Sequence, residues 1–481
     1  MTTTTPDARP TTTGSGVVGL MAALLSAIFA FQLSASMLSP VLATMERELE
    51  ATSAQVGVTQ TAFFASAALF SLFLPRWGDL VGRKRLMLGM LAVTTVGSVV
   101  SALAPSVGVL GPGRVVMGIS GPIVPMALIM LRVQVPDARR YAQLMAVLTA
   151  VNGGIAGVDA LAGGWLAASW GFRSVFWAMA AVSVIALVAV ALGTRESRSE
   201  RTMPMDWTGV TALVVVLAAL YFALDEAGKV ADARWLVVLA LVVVAAVAFA
   251  VFWQLEQRVA HPLVTTGHLR QRRTWALLGT TLLTMYGVFA VMNGLLPNIA
   301  QDPGAGIALG ADVVSWWTLT PYALAGLVMG PVAGQLAARF GYARVLRVGL
   351  GVSIAALVGT ALLVESLTPA LLLGVFVVVG LGYAGTCNIM LNGLGVVLSP
   401  RDNEGYLPGM NSGAFNLGAG LSFALLFGVD TAVGSAVGTA AGYRAGILTG
   451  AVLLVLALGL SLLIPRPDEA DGGGEDPPSP A

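Results

Sequence analysis

Runs of about 20 apolar residues recur from one end of this chain to the other, separated by short polar turns. Nothing else in the sequence restricts the fold as tightly. A helix of that length spans ~30 Å, the thickness of a bilayer's hydrocarbon core. A backbone placed there must satisfy its own hydrogen bonds, so each run is a helix or part of a closed barrel. The runs are continuous and do not alternate in strand fashion, which excludes the barrel. They fall at about 17–43, 55–75, 86–106, 109–131, 140–167, 174–193, 208–225, 235–253, 274–297, 313–338, 346–365, 369–393, 405–428 and 443–464. The expectation is an all-α polytopic membrane protein with fourteen transmembrane helices. With 57% hydrophobic and 11% charged residues, the 481-residue chain also lacks the charge to cover a soluble surface.

Composition removes several functions. A single cysteine, Cys387, leaves no internal disulfide, and no Cys/His cluster has metal-ligand spacing. His261 and His268 share one hydrophilic loop and read as solvated. No GxxxxGK[ST] sequence is present for a nucleotide phosphate, and no acid/base, nucleophile or metal set converges at membrane depth, so neither an ATP-driven pump nor a membrane enzyme is expected. No cofactor is called for. A net charge of +1 gives no reason to expect nucleic acid. The expected partners are a small-molecule substrate, protons and the lipid bilayer, around a monomer.

Arginine and lysine set the orientation. If both ends lie on one side, twenty basic residues fall in the segments on that side and five (Arg47, Arg173, Lys229, Arg234 and Arg444) on the other. Both termini are therefore expected in the cytoplasm of a cell membrane. Residues 1–16 and 465–481, polar and acidic respectively, are expected to be disordered cytoplasmic tails, the first lacking the layout of a signal peptide. Arginine outnumbers lysine 24 to 2 in a chain rich in Ala, Val, Gly and Leu, as GC-rich coding produces, so a high-GC bacterial host is expected.

The hydrophilic linker "TRESRSERTMPMDW" (194–207) follows six helices, and "QRVAHPLVTTGHLRQRR" (257–273) follows eight. The chain thus parses into an N-terminal six-helix bundle (17–193), a linker with two additional helices (194–273) and a C-terminal six-helix bundle (274–464). Two loops support a duplication. "PRWGDLVGRKRLML" (75–88) and "GQLAARFGYARVLR" (334–347) align on Gly82 and Gly341, an offset of 259 residues. Internal repeats of this kind are characteristic of secondary transporters.

The first loop resembles the gating loop of the major facilitator superfamily, roughly G-x-L-a-D-r-x-G-r-k, and the span count is similar to its fourteen-helix drug:proton antiporter branch. Gly78, Asp79, Gly82, Arg83 and Lys84 match, with Pro75 in place of the first glycine; the second copy keeps Gly334, Leu336, Arg339 and Gly341, with Ala338 where the acid would stand. "GRVVMGISG" (113–121) is similar to the R-x-x-q-G-x-g motif of the fourth helix, placing Arg114 where the family's proton-linked arginine lies, with Met117 for the glutamine. "GGWLAASWGFRSVFW" (163–177) resembles the branch at the end of its fifth helix. The resemblance implies two bundles rocking about a midplane cavity.

Two departures stand out. In "VNGGIAGVDALAGGWLA" (151–167) the antiporter motif G-x-x-x-G-P-x-x-G-G is degraded. With Gly163 and Gly164 as its closing pair, Asp159 and Ala160 stand where glycine-proline would; with Gly153 and Gly157 as its first glycines, the closing pair falls two residues late. The first helix, "AFQLSASMLSPVLATM" (30–45), carries Gln32, Ser34 and Ser36 but no acid. Asp159 is then the one carboxylate well inside a predicted span, and Arg114 the one basic residue. A buried charge is costly, and a pair at similar depth would offset part of that cost. Asp159 and Arg114 are the expected proton-coupling residues, with a permanent structural pair as the alternative.

The expected cavity is lined by Gln32, Asn152, Tyr286, Asn293, Asn388, Asn392, Asn411 and Asn416, with Met285, Phe289, Trp316, Trp317, Met390 and Met410 nearby. Asn388 and Asn392 share a helix face, as do Tyr286 and Asn293. Amides and soft apolar groups suit an amphipathic neutral or weakly cationic molecule. The expected function is proton-driven export of such molecules, as in drug and antibiotic efflux. The alternatives are a proton-independent or uptake permease for a small organic solute, or a non-transporting membrane sensor.

Overall fold

The computed structural model describes residues 14–135, 137–198, 205–227, 233–259, 266–305, 307–399 and 406–465. It contains no strand among them. Thirteen helical segments are long and apolar enough to cross a membrane, and a fourteenth long helix, Ala138–Trp170, lies between the fourth and fifth of these. In chain order they are α1 Gly16–Glu48, α2 Ser53–Val81, α3 Arg83–Ala102, α4 Val107–Gln134, α5 Ala138–Trp170, α6 Phe172–Gly193, α7 Trp207–Leu224, α8 Trp235–Glu256, α9 Arg272–Gln301, α10 Ala311–Phe340, α11 Tyr342–Leu362, α12 Pro369–Val397, α13 Leu407–Val437 and α14 Thr439–Ser461. Each predicted run overlaps one of them, three running three or four residues past the helix end. The thirteenth is longer than expected, because small residues beyond 428 continue the helix to Val437.

Local chemistry fixes several ends. Thr52 and Gln55 form a reciprocal capping box at the start of α2, with bonds of 3.2 and 2.9 Å. Asp137 caps α5 through the Arg140 amide at 2.7 Å. Four turns consist of a single glycine in the left-handed region: Gly82 (φ +117°) between α2 and α3, Gly171 (+76°) between α5 and α6, Gly341 (+87°) between α10 and α11, and Gly438 (+132°) between α13 and α14. These are the positive-φ glycines of the described residues, and they occupy equivalent places in α1–α6 and α9–α14. The internal repeat read from two loops is thus written into the backbone at both ends of the helices.

Helices this uniformly apolar have little hydrophobic preference for one another in lipid, so close backbone approach decides their packing. On α4, a Cβ at Gly118 would meet the Phe63 carbonyl of α2, and one at Gly121 would sit 2.6 Å from Ala67 Cα. The group α1–α6 packs through α2 on α4, α3 on α4 and α6, and α1 on α6. In α9–α14, α9 packs on α13 and α14, and α10 on α12. The two groups meet mainly where α2 lies along α13 and α5 along α10. Helices α7 and α8 pair with each other, and α7 rests on α2, where Trp77 and Trp207 meet edge to face at 5.9 Å. Much of α8 is bare valine, leucine and phenylalanine, as a lipid-facing helix requires.

Five of these helices break their regular winding: α4 is interrupted at 119–122 and α10 at Thr318, and three others break as follows. α1 gives way after Ser36 and resumes through a short 3-10 turn at Ser39–Val41, with Pro40 inside it. α9 carries a π turn at Val291–Leu295 and α12 a longer one at Gly380–Cys387.

Candidate transport site

The break in α1 lets its backbone and side chains face the other helices of α1–α6. Arg114, fully buried on α4, donates to the freed Ser34 carbonyl at 2.9 Å and to Gln60 Oε1 of α2 at 2.8 Å. Its guanidinium lies 4.3 Å from the Phe63 ring centre. Asp159 on α5 accepts from the Ser36 hydroxyl, and Gln32 Nε2 donates to that hydroxyl at 3.1 Å. The expected ion pair between Arg114 and Asp159 is not formed; each is held by α1 separately. A carbonyl, an amide and a π face replace the carboxylate as the arginine's counterweight. Three buried polar atoms here lack a partner: Arg114 Nε, Gln60 Nε2 and Asp159 Oδ1. Such atoms are costly unless something else supplies the bond.

Across from this cluster, Asn293 accepts from Ser39 at 3.3 Å and donates to the Phe289 carbonyl at 3.0 Å, joining α1 to α9 beside its π turn. Phe31, Phe63, Phe64, Phe289 and Phe423 form a chain of ring contacts from α1 through α2 to α9 and α13, with centroids 5.0 to 6.4 Å apart. Planar stacking surfaces and open hydrogen-bonding atoms therefore lie side by side at the meeting of the two groups.

The other expected cavity residues divide. Tyr286 and Asn416 are half-buried. Asn411 is structural: Thr281 donates to its Oδ1 at 2.6 Å, and its Nδ2 reaches the Leu391 carbonyl, tying α9, α12 and α13 together. Asn392 folds back on Asn388 at 2.9 Å and is exposed. The Asn152 and His268 side chains and all of His261 lie outside the described residues. Trp316 is 61% exposed, so it faces away from any central cavity. Asp159 is also not alone among buried acids of the spans. Asp430 on α13 is 7% exposed, and it was missed because the predicted span stopped short of it.

The gating loop is built around an acid that the motif does not contain. Asp79 and Arg83 pair at 2.7 Å. Glu196, in the linker after α6, accepts from the Lys84 amide at 3.1 Å and the Arg85 amide at 3.3 Å, so a carboxylate sits on the start of α3. Lys84 reaches back to the carbonyls of Ala191 and Thr194 at 2.6 and 2.8 Å. Gly78 packs on Met126 and Leu86, and any Cβ on Gly82 would collide with Glu196. In the second copy, Gly334 and Gly341 have open space around them, and Arg339 lies over Phe340 at 5.3 Å. Replacing Glu196 with Ala removes both amide bonds. The expected result is a loss of about 1 kcal/mol, read as a thermal midpoint about 1 °C lower in detergent. An unchanged midpoint would show the clamp to be idle.

The chain belongs to the Major Facilitator Superfamily, whose pattern matches residues 24–425. It is 54% identical over 435 residues to the uridine/deoxyuridine transporter of Lactococcus lactis, covering 89% of this chain and 90% of that one. Multidrug resistance protein Stp of Mycobacterium tuberculosis is 26% identical over 372 residues, 75% of this chain and 66% of that protein. Among solved structures, the nucleoside transporter NupG, in a mutant form, superposes with a TM-score of 0.62 at 13% identity, covering 93% of this chain and 99% of that one. A bacterial Spinster homologue in its inward-facing, occupied state gives 0.69 at 14%, covering 94% and 97%. At such identities the structures speak for the fold alone. The relative at 54% overturns the expectation of drug or antibiotic export. The span count and loop motifs that suggested it report the superfamily's scaffold, and cargo is decided by a handful of side chains the motifs do not include.

Proposed function

We propose that this protein is an uptake permease for pyrimidine nucleosides of the uridine and deoxyuridine type. The observation that carries the reading is the similarity, over nearly the whole chain, to a transporter of those compounds. The site is chemically suited to such cargo. A nucleobase is flat and stacks on phenylalanine rings, while its edge and the sugar offer donors and acceptors to Gln32, Gln60, Asn293 and Asp159. Both termini are in the cytoplasm, following the arginine distribution. Residues 17–193 and 274–464 rock against each other, with Gly78–Lys84 and Gly334–Gly341 at the moving cytoplasmic face. The fourteen-span layout with two inserted helices relates this chain to the drug:proton antiporter branch in architecture and not in cargo. Asp159 is the carboxyl that carries a proton inward with the substrate. Its unpartnered Oδ1 and the absence of an ion-paired cation suit an acid that gains and loses charge.

The test is uptake of labelled uridine by bacteria lacking their own uridine transport. Wild-type protein is expected to concentrate uridine, with deoxyuridine competing and a protonophore abolishing accumulation. Asp159→Asn is expected to exchange uridine across the membrane but not to concentrate it. Protein present in the membrane with no uridine entry would sink the nucleoside reading. Accumulation by Asp159→Asn equal to wild type would remove the coupling role alone.

A further inference from the structure

The two groups of helices are also joined at the end opposite the gating loops, and the joint is acidic. Asn298, near the end of α9, donates to Glu46 at the end of α1 at 2.8 Å, and Glu46 also accepts from Ser53 at the start of α2. Gln301 donates to the Pro40 carbonyl at 3.1 Å, and the Ala54 amide to Thr431 on α13 at 3.0 Å. Asp302, just beyond α9, receives the Tyr443 hydroxyl of α14 and lies within electrostatic reach of Glu46 and Asp430. Beside them is a cleft of about 220 Å³, lined by Ser53, Asp430, Thr431, Thr439 and Tyr443.

Three carboxyls therefore sit in one seam, and the cations nearby are engaged elsewhere. Arg47 bonds Thr44, Arg173 bonds Glu48, and Arg444 bonds Glu365 at 2.9 Å and the Ala361 carbonyl. A second observation points to what fills the gap. Asn298, only 3% exposed, leaves its Oδ1 without a donor while its own amide nitrogen holds Glu46, and Gln301 Oε1 is likewise open. An acceptor stranded beside carboxyls is satisfied when a carboxyl, or a water bonded to it, brings a proton. No group of three acids among the described residues has the arrangement of a metal site. Three ionised carboxylates in a drying seam would repel each other and pay desolvation together.

We propose that Glu46, Asp302 and Asp430 form a proton-binding site on the outer gate, and that the gate closes when the site is loaded. Acid outside then favours the outward-closed arrangement seen here, and alkali opens it. The inference rests on the alternating-access reading above but not on the cargo, and its test needs no substrate. Leu103 and Leu363, both exposed at this end on opposite sides of the seam, are changed to cysteine for spin labels, with the buried Cys387 changed to serine. Distances between the labels are measured in purified protein at about pH 5.5 and about pH 8.5, a window in which buried, mutually repelling carboxyls titrate. The short-distance population is expected to dominate in acid and to give way to a longer one in alkali, by up to about tenfold per pH unit for each proton linked. Glu46→Gln with Asp430→Asn, neutral mimics of the loaded site, is expected to stay closed at both pH values. Asp302→Asn alone is expected to reduce the response. A wild-type distance indifferent to pH, or a double variant that opens as wild type does, overturns the proposal.

Discussion

Arg114→Ala is expected to abolish uridine uptake and to lower stability by about 3 kcal/mol or more. The arginine is fully buried and bonds the Ser34 carbonyl and Gln60 while lying over Phe63. Truncation strands two buried acceptors, each costing ~1–3 kcal/mol, and opens a void where the side chain packed. The Ser34 carbonyl is exposed by the break in α1, so losing its donor frees the segment that positions Gln32 and Ser36. Arg114→Lys keeps the charge but replaces the planar fork, whose two terminal nitrogens reach the carbonyl and the amide separately, with one compact ammonium that has no plane to lay on the ring. It is expected to fold and to transport at least ~10-fold more slowly, as loss of one charge-assisted bond of ~1.5–3 kcal/mol implies. Uptake rates scaled to membrane protein levels, with thermal midpoints in detergent, check both. A lysine variant as active as wild type would reduce Arg114 to a structural cation.

The second large effect is expected at Gly118. Valine there places a Cβ against the Phe63 carbonyl and 2.6 Å from Ser66 Cβ, so α2 and α4 must separate. The obstruction is backbone, which cannot rotate away, so the cost exceeds the ~1–3 kcal/mol of ordinary overpacking. Separation also pulls Gln60 from Arg114, since the two helices carry that bond. Gly89→Val, on the neighbouring α3 with open space around it, is the control and is expected to behave as wild type. Yield of monodisperse protein and its thermal midpoint decide the matter. Equal behaviour of the two variants would mean that α2 and α4 are not held by close approach.

What could be read from the sequence was whatever the bilayer dictates. Apolar length located the spans, and the glycines of the loops located two of the four left-handed turns. Arg114 and Asp159 stood out because a charge in a hydrocarbon slab is conspicuous at any angle around a helix. Their partners were not legible, because helices that are apolar all round carry no periodic signal of which face meets which neighbour. Hence the pairing of Arg114 with Asp159 was inferred from depth alone, and the structure assigns them to different groups on α1. Glu196 went unnoticed in a linker crowded with charges. The seam of Glu46, Asp302 and Asp430 is assembled from residues up to 384 positions apart, each unremarkable just beyond the end of a predicted span. Cargo was the least legible property, since it depends on side chains gathered from several helices and not on the scaffold motifs that are easiest to recognise.

The π turns of α9 and α12 have a mechanical meaning of their own. Each is a helix holding one residue more than its length requires, and that surplus is stored slack. Passing the surplus along by one turn, or winding it into regular helix, swings the side chains it crosses by about 100° while both ends of the helix stay anchored. Asn293 and Tyr383 sit on these turns. A shift of this kind re-aims single side chains of α9–α14 without moving a helix bodily.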